Sequence, residues 1–448
     1  MSSENQLTTP VVESVFQPVE SNINKPRLTV QLGYDTDIGG SRVNQDIYSI
    51  VTLPEHDVCA ISVADGHFPE TGHFVADITK KNIEELIKTR ITELIENPVT
   101  FLELCCDYIH EEIRKGLVEI MEKDGYKVKV DESGVIFKRK FESQAWSELR
   151  GGATFSIIVL IGKKIYMANV GDSSGLLCCK HPIIKNSDIK YEKDAANPTK
   201  EIHSQDIDTS LSTYIELTCD HSPESIDEYI RMRTFKCSDE NPNHAELLCV
   251  YDNQYKHKPM CPHVFDISES GIPTIRQDDG SFQYYYKNVR REKAAYLSDR
   301  YGDNVLSVTR ALGDFRLQTL GVSNKPEIQS IDLEPVFAQL KLQIDSTKVE
   351  TETVHTETVD TETVKPVDPM TVCVVLCSDG VWDNWIYDHV SKFVMDPSCL
   401  KAIVADKEKG AARVAKSFML RNQAFARKNF GSQADNATGI IMYITQEE

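Results

Sequence analysis

Five aspartates of this chain stand where apolar runs stop or start. Asp65 and Asp379 each close such a run and are followed by glycine, in VADGH and LCSDG. Asp220 closes TYIELTCD, Asp435 stands directly before ATGIIMYIT, and Asp46 precedes IYSIV. A carboxylate at a strand end, beside glycine that lets backbone come close, suits a site where several acids converge. Converging carboxylates repel unless a cation lies between them. Oxygen-only ligands favour Mg²⁺ or Mn²⁺ over zinc. One Asp-Gly is ordinarily a turn, but turns alone do not explain the same pattern at the ends of several buried strands.

Such a site needs strands that end together. LTVQLGYDTD, QDIYSIVTL and DVCAISVA read as strands, the last ending at Asp65-Gly66-His67. Two helices follow. Val75, Ile78, Ile83, Leu86, Ile87, Ile91, Leu94 and Ile95 form one stripe, ended by Pro98, and Leu102, Cys105, Ile109, Ile113, Leu117 and Ile120 form a second. One apolar stripe per helix predicts that both lie on a sheet. ATFSIIVLIG, IYMANV and SGLLCC predict a three-strand meander. TYIELTCD is another strand, and SPESIDEYIRMR a short helix capped by Ser222 with Pro223 at its first position. MTVCVVLC and ATGIIMYIT are strands. Between them, Val390, Phe393 and Val394 suit a short helix, and Val414, Phe418, Leu420 and Phe425 a longer one.

Residues 1–27 read as a flexible tail and 28–446 as a single domain. Insertions are expected at about 122–148, 181–210, 236–300 and 345–368. In the last of these TETV occurs three times at five-residue spacing, which is neither the helical nor the strand period, so a solvated loop is expected. Segregated strands and helix pairs indicate α+β layers, not a doubly wound parallel sheet.

Composition excludes several classes. The chain has 448 residues, 49 Lys+Arg against 69 Asp+Glu, and a formal charge of −20. That excess argues against nucleic acid as partner and against a polybasic membrane-surface protein. The 40% hydrophobic and 26% charged content excludes wholesale disorder. No apolar run has a membrane-spanning length, and the N-terminus lacks the form of a secretory signal. Cysteines inside apolar runs, as in TVCVVLC, indicate a reduced intracellular chain. The expected compartment is the cytoplasm, with the nucleus also open, and a monomer is the default.

GSRVNQD, VADGHF, GGATFSIIVL, MANVGDSSG, LTCDHSP, LSVTRALGDF, VSNKPEI, LCSDGVWD and ADNATGIIMYI occur in an order that resembles the metal-dependent serine/threonine protein phosphatases of the PP2C type. The likeness runs from about Gly33 to Ile444. It implies a four-layer αββα sandwich, two antiparallel sheets with a helix pair on each outer face. It also implies two Mg²⁺ or Mn²⁺ ions and a third, weaker one. By resemblance Asp65 bridges the two metals, the Gly66 carbonyl binds one of them, and Asp379 and Asp435 complete the other. Asp46 holds a metal-bound water. Asp220 and Asp383, with Asp379, hold the third ion. His67 is the general acid. The implied reaction is hydrolysis of phosphoserine and phosphothreonine in phosphoprotein substrates by a metal-bridging water, with no phosphoenzyme. Consistently, no cysteine has arginine six residues later, so the loop of thiolate phosphatases is absent.

Departures from the pattern are informative. Gln45 stands where many members carry glutamate, so a ligand there is neutral and the second metal is expected to be held less tightly. Arg42 lies four residues before Asp46, where familiar members have it five before; it is still expected to reach the substrate phosphate. Ser174 stands where members with Gly-Asp-Ser-Arg carry arginine, a change expected to be structural. Cys237, His244, Cys249, His257, Cys261 and His263 cluster without a paired Cys-x2-Cys hook, so zinc is not expected. His73 and His221 are read as packing or loop-supporting residues. The 236–300 region is the candidate for substrate choice. The alternative function is a weak or inactive scaffold on the same fold, which would be free to lose the acidic set. A hydrolase of small phosphate esters is a third reading, since a fold does not set the leaving group.

Overall fold

MTVCVVLC is apolar at every position but Thr371 because both of its faces are covered. Val372, Val374 and Leu376 point into one core, and Cys373, Val375 and Cys377 into another. A strand with period-two alternation and no exposed face must read this way. The computed structural model describes residues 28–184, 189–197, 210–235, 247–354 and 370–447.

Two antiparallel sheets carry the fold. The first contains β1 (Leu28–Asp37), β6 (Ser174–Ile184), β8 (Leu211–Glu216), β12 (Met370–Cys377) and β13 (Ala437–Gln446), in the order β1-β13-β12-β6-β8. The second contains β2 (Asp46–Leu53), β3 (Val58–His67), β4 (Phe155–Ile161), β5 (Lys164–Val170), β7 (Ile189–Asp194) and β11 (Glu327–Asp332). Its order is β7-β11-β5-β4-β3, with β2 also on β3, extended by the short strands Gly152–Ala153 and Leu312–Gly313. Ile61, Val63, Ile158 and Met167 of the second sheet meet Leu177, Val374 and Met442 of the first in a shared core.

The outer faces are covered by helices. Ala60, Ala64, Ile157 and Val159 face α1 (Gly72–Thr89) and α2 (Pro98–Lys123), whose buried stripe includes Ile83, Ile87, Ile109 and Ile113. On the other side Cys373, Val375 and Ile441 face α5 (Tyr387–Val394), α6 (Pro397–Ala405) and α7 (Gly410–Asn429). Large antiparallel sheets covered by helices fit the α+β layering read from the sequence. Among the described residues no helix is long and apolar enough to cross a membrane.

Several local expectations are corrected. The helix α3 (Ile226–Thr234) is capped by Ser225, whose side chain accepts from the Glu228 N–H. Ser222 instead accepts from Glu224 N one turn earlier, so Pro223 precedes the helix. The expected loop from 345 begins as helix: α4 (Leu333–Val354) takes in the first TETV, while 355–369 lie outside the described residues. Leu333, Val336, Phe337 and Leu340 anchor α4 on the inter-sheet core, and an established helix gains one bond per further residue, whatever its polarity. The polar stretch after 180 contributes β7, which reads as loop because an edge strand with one packed face can be rich in Lys and Glu. Leu420, placed on the helix stripe, is 56% exposed. Within 236–300, β9 (Leu248–Tyr251) pairs with β10 (Ala295–Ser298). Cys249, Tyr251 and Leu297 share a core with Leu306, Val308 and Leu317, so this segment is seated on the domain and not appended to it. The 1–27 tail lies outside the described residues.

Candidate metal centre

The pairing of β2 with β3 sets Asp46 directly opposite Asp65. On the other sheet, Cys377 at the end of β12 pairs with Gly439 of β13, so the Ser378-Asp379-Gly380 turn lies against Asp435-Asn436. Glycine makes that approach possible: a Cβ on Gly380 would sit 1.9 Å from the Asn436 carbonyl oxygen. Gly66 is similar, since a Cβ there would lie 2.3 Å from the Gly72 oxygen. Ser378 ties the two sheets together. Its hydroxyl donates to Asp46 Oδ2 (2.5 Å) and accepts from the Thr438 N–H (2.9 Å). Gly380→Ala is therefore expected to cost about 1–3 kcal/mol as overpacking, measured by urea unfolding, and to weaken Mn²⁺ binding by pushing the Asp435 turn away.

Asp65 stands close enough to Asp46, Asp379 and Asp435 for their charges to act on it. Loss of water pushes Asp46, Asp65, Asp379 and Asp435 all above the usual carboxylate range, and for the first three mutual repulsion pushes further in the same direction. Among the described residues no three His, Cys, Asp or Glu side chains stand as a ready-made metal shell. Asp46 Oδ1 and Asp379 Oδ1 are nevertheless buried with no hydrogen-bond partner. An acid cluster with orphaned oxygens and raised pKa values lacks positive charge, so the donor set fits a hard divalent cation.

His67 lies beside this cluster. Its Nε2 is 2.5 Å from Asp314 Oδ2. Burial alone would lower the imidazole pKa, but the charge and hydrogen bond of Asp314 overcome it and raise the pKa. Asp314 holds its place in a left-handed conformation (φ 45°), its N–H donating to the Gly151 carbonyl (2.9 Å). Arg42 is exposed on the loop between β1 and β2.

Gln45 is engaged elsewhere than expected. Its Nε2 donates to the Phe68 carbonyl (2.8 Å), and its backbone N–H to Asn436 Oδ1 (2.7 Å). The side chain thus fixes the turn after Asp65-Gly66-His67. Gln45→Glu removes that donor and faces a carboxylate against a carbonyl, with an expected cost on the order of 1–2 kcal/mol in metal-free protein, read from chemical denaturation.

A cleft of about 350 Å³ opens over the site, lined by Asp172, Asp220, Asp379, Asp383, Asp435 and Lys287. Ser174 donates to Asp220 Oδ1 (2.6 Å), which is the structural use expected of it. His221 accepts at Nδ1 from the Gly171 N–H and so supports that loop. His73 stacks on Phe74. Cys249 is buried in an apolar core and Cys261 contacts Asn253, while Cys237 and His244 lie outside the described residues. Sequence reasoning passed over three residues. Asp172 was legible, being another Gly-Asp after a strand. Asp314 likewise follows a glycine, in LSVTRALGDF, while Lys287 carried no local signal.

The family model for protein phosphatase 2C matches residues 55–238 and 291–416, more than half of the chain. The chain belongs to the protein phosphatase 2C family. The matched spans take in Asp65, Gly66, His67, Asp172, Asp220, Asp314, Asp379 and Asp383. They leave Arg42, Gln45, Asp46 and Asp435 on the flanks and residues 239–290 unmatched. Among solved structures, serine-threonine phosphatase 2C from Toxoplasma gondii is similar at 16% identity, covering 98% of this chain and 100% of that one, with a TM-score of 0.45. A C. elegans sex determining protein is similar at 15% identity, covering 92% and 64%, with a TM-score of 0.46. The Mycobacterium tuberculosis serine/threonine phosphatase PstP/Ppp is similar at 11%, covering 94% and 99%, with a TM-score of 0.37. Comparison with curated proteins found no match. Membership of the phosphatase 2C family therefore rests on the matched spans.

Proposed function

We propose that this family member is a Mg²⁺- or Mn²⁺-dependent phosphatase of phosphoserine and phosphothreonine in proteins. The observation that carries the reading is the meeting of Asp46, Asp65, Asp379 and Asp435 from four separate segments, with two buried carboxylate oxygens unpartnered. Asp65, the Gly66 carbonyl, Asp379 and Asp435 would hold the ions, and Asp46 would hold the ordered water beside them. When bound, a pair of such ions activates water and neutralises charge on a phosphoryl group. His67, oriented by Asp314, protonates the departing serine or threonine oxygen; its raised pKa keeps the proton available near neutrality. Arg42, exposed at the rim, draws in the phosphate. Gln45 serves the turn and not the ions.

Phosphate release from a phosphothreonine peptide, measured with Mn²⁺, Mg²⁺ or EDTA, tests the reading. Release that needs metal and stops with EDTA is expected. A folded protein that binds metal yet releases nothing would leave the scaffold reading in its place.

A further inference from the structure

The cleft has an acidic corner beyond the four-aspartate cluster, formed by Asp172, Asp220 and Asp383. Desolvation raises the pKa of all three. Three cationic side chains reach the same cleft from the segment around 287–293, and two are committed elsewhere. Arg290 pairs with Glu292 (2.9 Å) and donates to the Trp382 and Trp385 carbonyls (2.6 and 3.0 Å). Lys293 lies over the Tyr284 ring (4.0 Å) and beside Asp278 (3.7 Å). Lys287 lines the cleft together with the three aspartates and pairs with Glu292 at 3.7 Å.

The backbone that carries Lys287 cannot drift. Its own N–H donates to the Glu292 carbonyl (2.9 Å), and the Val289 N–H donates to the carbonyl of Asp383 itself (2.9 Å). With the Arg290 bonds, this clamps the segment onto the loop that bears Asp379 and Asp383. Burial would lower the Lys287 pKa, but Asp220, then Asp172, Glu292 and Asp383, overcome it and raise it. Lys287 falls in the stretch that the family model leaves unmatched.

We propose that Lys287 is a built-in counter-cation for Asp172, Asp220 and Asp383, and that it keeps a further divalent ion out of that corner. A metal entering there would share the cleft with the Lys287 ammonium, whose backbone is held beside Asp383, and like charges repel. The third, weaker ion expected from the sequence is on this view replaced by a side chain. The inference rests on the two-ion reading of the neighbouring cluster.

Counting Mn²⁺ per chain tests it, using the loss of the free-ion electron paramagnetic resonance signal on titration of the full protein. Wild type should take up two ions, and Lys287→Met should take up a third. Three ions in wild type, or two in a folded Lys287→Met, would overturn the proposal. Circular dichroism and a melting curve establish folding. Should Lys287→Met not fold, Asp220→Asn decides: an unchanged isotherm supports the built-in cation, and loss of an ion defeats it. Wild type that binds no Mn²⁺ would instead sink the two-ion reading itself, and this inference with it.

Discussion

Asp65→Asn should abolish metal-dependent phosphate release, a fall of at least about 10³-fold, and should raise the melting temperature of the metal-free protein. The two effects have one cause. Asp65 is held well above the usual carboxylate range by desolvation and by Asp46, Asp379 and Asp435. Asp46 is raised to about 6 and Asp379 to about 7. Groups whose folded pKa exceeds the unfolded one bind more protons in the native state, so stability falls as pH rises. The window runs from about pH 4, the ordinary aspartate range, through the raised values near 6 and 7. Metal-free wild type should therefore melt lower at pH 8 than at pH 5. Mn²⁺ should recover the difference, with its larger effect at pH 8, because it binds the native ionised cluster. Asn at 65 removes one of the crowded charges, so the variant's melting temperature should depend less on pH and respond less to Mn²⁺. Calorimetry at the two pH values, with and without Mn²⁺, reads all of this. A metal-free wild type that melts higher at pH 8 would contradict the account of the cluster.

Arg310→Ala should unfold the protein far more readily, by roughly 3–5 kcal/mol. Arg310 is fully buried. Its guanidinium makes two bonds to Asp194 (2.8 Å each) and two to Glu228 (3.1 and 2.5 Å). Glu228 also receives Arg231 (2.9 Å) and the Thr309 hydroxyl (2.7 Å). This cluster joins β7, α3 and the loop that leads to Asp314. Truncating Arg310 leaves two buried carboxylates short of their counter-charge, and that penalty exceeds the net worth of the pairs. Burial would raise the Glu228 pKa, but the charge and bonds of Arg310 outweigh it and hold it well below the usual range. A depressed folded pKa gives stability that is present above the unfolded value near 4.5 and lost as pH falls. Urea unfolding at pH 7 should show the full loss in Arg310→Ala, and the gap to wild type should narrow at pH 4. Replacing Asp194, Glu228 and Arg310 together by apolar residues should recover much of it. If single and triple variants are equally unstable, packing and not charge holds the region.

The layers were legible because burial leaves a periodic trace. α1 and α2 show one stripe each, and β12 and β13 are apolar on both faces. α4 was equally legible in Leu333, Val336, Phe337 and Leu340, but the polar repeat that follows drew attention to a loop. The small core of Cys249, Tyr251 and Leu297 left no periodic trace, since strands of four residues are too short to show one.

For the site, sequence alone determined which acids end buried strands, because an apolar run that stops at Asp-Gly is a local fact. Asp65 and Asp379 could be named on that basis. Tertiary structure decided what each acid faces. Asp46 meets Asp65 through the register of two strands, and Asp379 meets Asp435 through glycine-permitted contact of two turns. Gln45 turns to Phe68, and His67 to Asp314. Those partners lie as much as 247 residues apart in the chain. Strand register and the docking of an irregular segment bring them together, and no local pattern records a partner at that distance.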